Sequence, residues 1–159
     1  MVSRVLYLVG VVVALWLVPY CYAESGASLV AISAPLPFSK LTSTFGIRQH
    51  PVSKVIHHHN GIDLAAPVGT PIRAIQGGVV TFSSQYKGYG KLVVIMHLDG
   101  KTSHYAHCNE LFVSVGERVL RGEIIGSVGE SGVATGAHLH LEIRDGGNPV
   151  NPIEYLRER

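Results

Sequence analysis

From residue 38 onward the apolar residues come in short runs rich in Val, Ile and Thr, each bounded by Gly or Pro: 41–44, 71–74, 78–83, 91–97, 101–107, 123–128 and 138–144. No window sustains a 3.6-residue period, which excludes a helical bundle and predicts an all-β domain, a single antiparallel sheet with closely spaced turns. In KLVVIMHL-Asp99-Gly100-KTSHYAH the Asp-Gly pair predicts a two-residue hairpin turn. Leu98 then faces Lys101. Ser103, Tyr105 and His107 share a face with Met96, Val94 and Leu92, and His97 shares the opposite face with His104.

The amino terminus is of a different kind. Residues 1–4 make a short basic start and 5–20 an almost unbroken apolar run. A membrane-spanning helix needs about 20 apolar residues, so the run reads as a secretory signal, with uncleaved anchoring the less favoured alternative. Ala23 closes the segment ahead of polar Glu24-Ser25, which places the cut after residue 23. Tyr20 before Cys21 disfavours lipidation. An exported protein, periplasmic or secreted, is expected. Residues 24–37 are small, polar and punctuated by proline, a linker or extended arm, and 38–159 form the folded domain.

Charge narrows the partners. Removing Arg4 with the signal leaves 12 basic against 11 acidic residues, which fits neither a nucleic acid nor a membrane surface as partner once the signal is cleaved. Cys108 becomes the only cysteine, so no intramolecular disulfide forms. The nine histidines are the unusual count, and they direct attention to metal chemistry.

His59-Asn60-Gly61-Ile62-Asp63 puts an imidazole and a carboxylate four residues apart. On a straight strand their Cα atoms would be roughly 13 Å apart, too far to share one ion, so the chain must bend at Asn60-Gly61. His138-Leu139-His140 sits in HLHLEIR, where residues i and i+2 point to one strand face, about 7 Å apart at Cα, while Leu139 and Leu141 face the core. Two such imidazoles suit a site in which one binds metal and the other works beside it. Each motif alone also fits surface histidines.

Together the motifs are far more specific. The blocks STFGIRQHP, HNGIDLAAPVGTPIRAIQGGVV, YGKLVVIMHLDGKTSHYAHCNEL and VSVGERVLRGEIIGSVGESGVATGAHLHLEIRDGGNPVNPIEYL, in this order, resemble the lysostaphin-type zinc metallopeptidases, peptidoglycan-cleaving endopeptidases. The resemblance runs from about Leu41 to Leu156. It implies an antiparallel domain containing a hybrid β motif, with a groove over one Zn²⁺ per chain. It makes His59, Asp63 and His140 the metal ligands and His107 and His138 the catalytic histidines, and it implies peptidoglycan as the substrate. Cys108 stands where Leu is common and Ala137 where Pro is common, which touches packing only.

Two imidazoles and one carboxylate leave a fourth tetrahedral position open, as a catalytic zinc requires. The chain has no HExxH, so proton transfer falls to histidines. His57 and His58 read as rim residues, His50 and His97 as structural or groove-lining, and Arg48 equally as groove-lining or solvated. Tyr105 either hydrogen-bonds near the site or packs. A catalytically silent wall-binding module that activates another hydrolase is the main alternative, and the complete ligand set argues against it. A biotinyl or lipoyl carrier, or a zinc scavenger, explains fewer of these residues. Protein partners are not legible.

Sequencing the amino terminus of the exported protein should return Glu24. A chain beginning at Met1 and held in the membrane would contradict the signal assignment.

Overall fold

The computed structural model describes residues 33–49 and 56–157. The expected signal segment, the first part of the expected arm and His50 lie outside the described residues. Among the described residues twelve strands are formed: β1 Lys40–Ser43, β2 Gly46–Gln49, β3 Ile56–His59, β4 Ile62–Ala65, β5 Pro71–Arg73, β6 Gly78–Tyr86, β7 Gly90–His97, β8 Thr102–Leu111, β9 Arg118–Val119, β10 Ile124–Val128, β11 His138–Asp145 and β12 Asn148–Val150. A short helix, α1 Pro152–Arg157, follows. The strands are antiparallel, as the sequence leads one to expect. One large sheet runs β1-β4-β11-β8-β7-β6-β9, with β12 on β11 and β10 bridging β5 and β8. β2 and β3 form a separate hairpin. Among the described residues, no helix is long and apolar enough to cross a membrane.

Alternation sorts the side chains. In β11 the odd residues Leu139, Leu141 and Ile143 are fully buried in the main core with Ile62, Leu64, Val93, Ile95 and Tyr105, while His138, His140 and Glu142 face the other way. Residues just ahead of 38 join this core. Arg73 donates its backbone N–H to Pro35 O at 2.8 Å, and Leu36 is buried.

The β7–β8 hairpin differs from expectation by one residue. His97 N–H donates to Lys101 O and Gly100 N–H to His97 O, so the loop is Leu98-Asp99-Gly100 with Gly100 at φ +81°. Asp-Gly suits a three-residue loop closed by a left-handed glycine as well as a two-residue turn, and burial decides between them. The pairs become Ile95↔Ser103 and Val93↔Tyr105. A one-residue slip exchanges faces. His97 therefore lies on the core side with Ser103 and Tyr105, its Nε2 2.8 Å from Ser103 Oγ, and His104 lies on the groove side. Tyr105 Oη accepts the Ile75 N–H at 2.9 Å inside the core, so this residue packs rather than serving the site.

The register shifts again beyond Val93. Lys91 pairs with Cys108, which sets Ala106 and His107 together opposite Leu92, a β-bulge. Here β8 exchanges its neighbour β11 for β10, which pairs with Cys108 and the residues after it. Strict alternation would send His107 to the core. The bulge, with His107 at φ +61°, sends it to the groove and lets Cys108 take the core position. Such a conformation costs a non-glycine residue on the order of 1–3 kcal/mol and survives only where surrounding contacts hold it.

The loop between β10 and β11 supplies them. Ser131 Oγ donates to Cys108 O at 2.7 Å and accepts the Lys91 N–H at 2.9 Å. Two glycines permit this approach: a Cβ on Gly132 would lie 2.4 Å from Gly90 N, and one on Gly90 would lie 2.4 Å from Ser131. Gly132→Ala combines this clash with φ +76°, whereas Gly100→Ala has open space at φ +81°. Urea unfolding should show a loss of about 2–5 kcal/mol for the first and about 1–2 kcal/mol for the second. Equal losses would contradict the close packing of the two loops.

Candidate active site

Three strands bring the site together. The β2–β3 hairpin ends at His59, the chain bends at Asn60-Gly61, and β4 carries Asp63 back beside it. Gly61 passes so close to β11 that a Cβ there would lie 2.3 Å from Leu141 O. In the β4–β11 ladder Asp63 is directly opposite His140, and His138 is opposite Ala65. All five residues singled out from the sequence line one groove of about 650 Å³.

His59, Asp63 and His140 form a tight triangle. His59 Nε2 is 3.1 Å from Asp63 Oδ1 and 3.0 Å from His140 Nδ1, and His140 Nδ1 is 2.8 Å from Asp63 Oδ1. These separations approach the edge of about 3.3 Å in a tetrahedron with bonds of about 2.0 Å. Hydrogen bonds behind the triangle assign the ring nitrogens. His59 Nδ1–H donates to Thr44 O at 2.8 Å, leaving Nε2 with its lone pair. His140 Nε2–H donates to Glu142 Oε1 at 3.1 Å, leaving Nδ1 with its lone pair. Three electron pairs thus meet at one point, a donor set that fits a divalent cation and that zinc's preference for nitrogen and oxygen ligands matches.

The titration behaviour expresses the same demand for positive charge. Burial alone would raise Asp63, but hydrogen bonds to His140 and His59 hold its carboxyl far below the usual range. Burial alone would lower His140, but Asp63 and Glu142 raise it. Glu142, fully buried, is likewise pushed up by desolvation, yet His140, Tyr89 and Arg144 bring it down to about 2. Its oxygens accept from Tyr89 Oη at 2.7 Å and Arg144 Nε at 2.8 Å. His104, one rung along the groove face, is kept neutral by burial and by Arg144, with its pKa lowered to about 4.

His107 and His138 stand beside the triangle with ring centroids 4.7 Å apart. Each donates Nδ1–H to a backbone carbonyl, His107 to Ser131 at 2.7 Å and His138 to Gly136 at 2.8 Å. Each therefore keeps a free lone pair on Nε2, and that of His138 lies 3.7 Å from Asp63 Oδ1. Burial lowers the His107 pKa below the ordinary imidazole value, so the ring is neutral near pH 7 and able to accept a proton. His57 and His58 sit on the exposed rim, where His58 packs edge-on against Phe45 and donates to Asn60 Oδ1 at 2.9 Å.

Sequence reasoning missed the supporting groups. Glu142 was within reach of the period-2 rule that paired His138 with His140, since it is the next residue on that face. Tyr89 gave no comparable signal, because a single 3-10 turn, Lys87–Tyr89, delivers it from another part of the chain. Glu142→Gln removes the charge behind His140 while keeping an acceptor. Zinc affinity, measured by competition with a chromogenic chelator, should fall about 10–100-fold. Unchanged affinity would show that Glu142 does not orient His140.

The profile of peptidase family M23 matches residues 57–152, more than half of the chain. "DD-carboxypeptidase/endopeptidase Mpg" of Neisseria meningitidis serogroup B is 46% identical over 119 residues, covering 75% of this chain and 27% of that protein. "Peptidoglycan DD-endopeptidase ShyC" of Vibrio cholerae serotype O1 is 40% identical over 134 residues, covering 82% of this chain and 31% of its own length. This chain thus spans under a third of these curated relatives. Among solved structures, a zinc-containing peptidase from Vibrio cholerae superposes with a TM-score of 0.70 at 29% identity, covering 83% of this chain and 40% of that one. The catalytic domain of lysostaphin from Staphylococcus simulans gives 0.69 at 26% identity, covering 76% and 93%. With the matched stretch reaching from the rim histidines through HLHLE, the chain belongs to peptidase family M23.

Proposed function

We propose that this protein is an exported zinc endopeptidase that hydrolyses peptide bonds in peptidoglycan crosslinks or stem peptides. The observation that carries the proposal is the triangle of three convergent lone pairs flanked, in one groove, by two imidazoles whose Nε2 atoms are free. The peptidoglycan-cleaving activities named for the relatives supply the substrate class. Export rests on the amino-terminal signal, with cleavage after Ala23, residues 24–37 as the arm and 38–159 as the peptidase domain.

His59, Asp63 and His140 would hold the metal. A bound Zn²⁺ supplies Lewis acidity, lowering the pKa of water from about 15.7 to about 7 and polarising the scissile carbonyl. The chain's own part is proton handling. One of the His107 and His138 Nε2 atoms accepts the proton of the attacking water, and the resulting imidazolium returns it to the leaving amine nitrogen. The other imidazole, once protonated, donates to the developing oxyanion. Anchoring both Nδ1–H groups on carbonyls fixes which nitrogen does this work and where it points.

The two groups of residues fail differently. Elemental analysis after dialysis should find one zinc per chain in the wild type. His59→Ala, Asp63→Ala and His140→Ala should lose zinc and activity together. His107→Ala and His138→Ala should keep most of the zinc while muropeptide release from purified peptidoglycan falls about 10²–10⁴-fold. Full activity in either zinc-replete variant would remove that histidine from the mechanism, and zinc retained by His140→Ala would show that His138 is the ligand.

A further inference from the structure

Arg48, at the third position of β2, is held over the metal-ligating corner of the groove. Its Nη1 donates to Ser43 Oγ and stands 3.9 Å from Asp63 Oδ2, an ion pair too long to be a hydrogen bond. Its Nε is buried without a hydrogen-bond partner. The guanidinium is therefore positioned by β1 and by Asp63 while one of its donors is unsatisfied. Asp63 directs its other oxygen, Oδ1, into the triangle. Arg48 Nη1 thus stands 3.9 Å from the Asp63 oxygen that lies outside the donor cluster. Lys87, which also lines the groove, adds a second cation. Half-buried Asp63 and buried Glu142 are engaged at shorter distances by His140 and Arg144, so Arg48, whose contact with Asp63 is longer than a hydrogen bond, keeps cationic capacity for an incoming anion.

The distance matters. A carboxylate attached to the carbon that bears the leaving nitrogen has its own carbon about 3–4 Å from the scissile carbonyl carbon. A guanidinium next to the reacting centre is the group that takes such an anion, with charge-assisted bonds of about 2.7–2.9 Å. Two kinds of amide carry a carboxylate at that place: a carboxy-terminal D-alanyl-D-alanine, and a D-alanyl crosslink to the amine of a diamino acid whose same carbon holds a free carboxyl. A glycine bridge has no carboxylate inside its chain.

We propose that Arg48 recognises a carboxylate on the carbon bearing the leaving nitrogen and so selects D-alanyl amides of this type over glycine bridges. The inference rests on the peptidoglycan reading and names the part of the substrate that the groove reads. It makes terminal trimming and crosslink cleavage two outcomes of one recognition step, since both bonds present the same anion to the same cation.

The test compares zinc-loaded wild type, Arg48→Ala and Arg48→Lys on two purified crosslinked muropeptide dimers, one with that carboxylate free and one with it amidated. Wild type should prefer the free acid at least tenfold in kcat/KM, mainly through KM. Arg48→Ala should treat the two alike, and Arg48→Lys should keep part of the preference. Calorimetric titration with D-alanyl-D-alanine and its carboxy-terminal amide gives a readout without turnover: wild type should bind the acid more tightly, and Arg48→Ala should not. Zinc content and near-UV circular dichroism confirm that the variants are folded and loaded. Wild type that cleaves both dimers equally, or an Arg48→Ala variant that loses activity on both while keeping the preference, would overturn the assignment and return Arg48 to the role of a support for Asp63. Loaded wild type that cleaves no muropeptide would overturn the peptidoglycan reading itself, and this inference with it.

Discussion

Asp63 and His140 stand directly opposite each other in the β4–β11 ladder, and the rest of the site is arranged around that pair. Opposed residues on one face of an antiparallel ladder have Cβ atoms only about 4.5–5.5 Å apart, so sheet register alone delivers a carboxylate and an imidazole to one point. His59 closes the triangle from outside the ladder, and its Nδ1 bond to Thr44 O ties the β2–β3 hairpin to the end of β1. A close backbone approach depends on this register. Gly61 lies against Leu141 O, where any side chain would push β4 away from β11.

Bringing three electron pairs together is unfavourable without a cation, and hydrogen-bond acceptors placed one layer behind hold the rings in that arrangement. Glu142, itself held by Tyr89 and Arg144, keeps the His140 Nε2 proton and thereby frees Nδ1 for the triangle. The same device, with neutral carbonyls in place of a carboxylate, sets His107 and His138. The carboxylate behind His140 makes that imidazole a better donor to a cation, whereas the carbonyls behind His59, His107 and His138 fix their rings without adding a charge.

Much of this was legible in the sequence for stated reasons. Alternation in HLHLEIR separates the core leucines from the groove histidines without reference to any other strand, and the four-residue gap from His59 to Asp63 demands a bend that Asn-Gly supplies. What escaped depended on irregular backbone or distant partners. The Asp99-Gly100 turn allows two loop lengths, and only the burial of Ser103 and Tyr105 selects the register that places His97 in the core and His104 in the groove. Alternation along β8 assigns His107 to the core side, and the bulge that re-aims it rests on Ser131, 24 residues away in sequence. Family resemblance reached His107 where periodicity did not.

In the proposed metal site, the ring tautomers of His59 and His140 are fixed and opposite. Long-range proton–nitrogen correlation spectra of the zinc-loaded protein, with labelled histidines, report which ring nitrogen carries a proton and which is bound to metal. The structure predicts that His59 is metal-bound through Nε2 with its proton on Nδ1, and that His140 is metal-bound through Nδ1 with its proton on Nε2. His107 and His138 should be protonated at Nδ1 and unligated. Metal bonding through the same nitrogen in both His59 and His140, or a proton on His140 Nδ1, would contradict it.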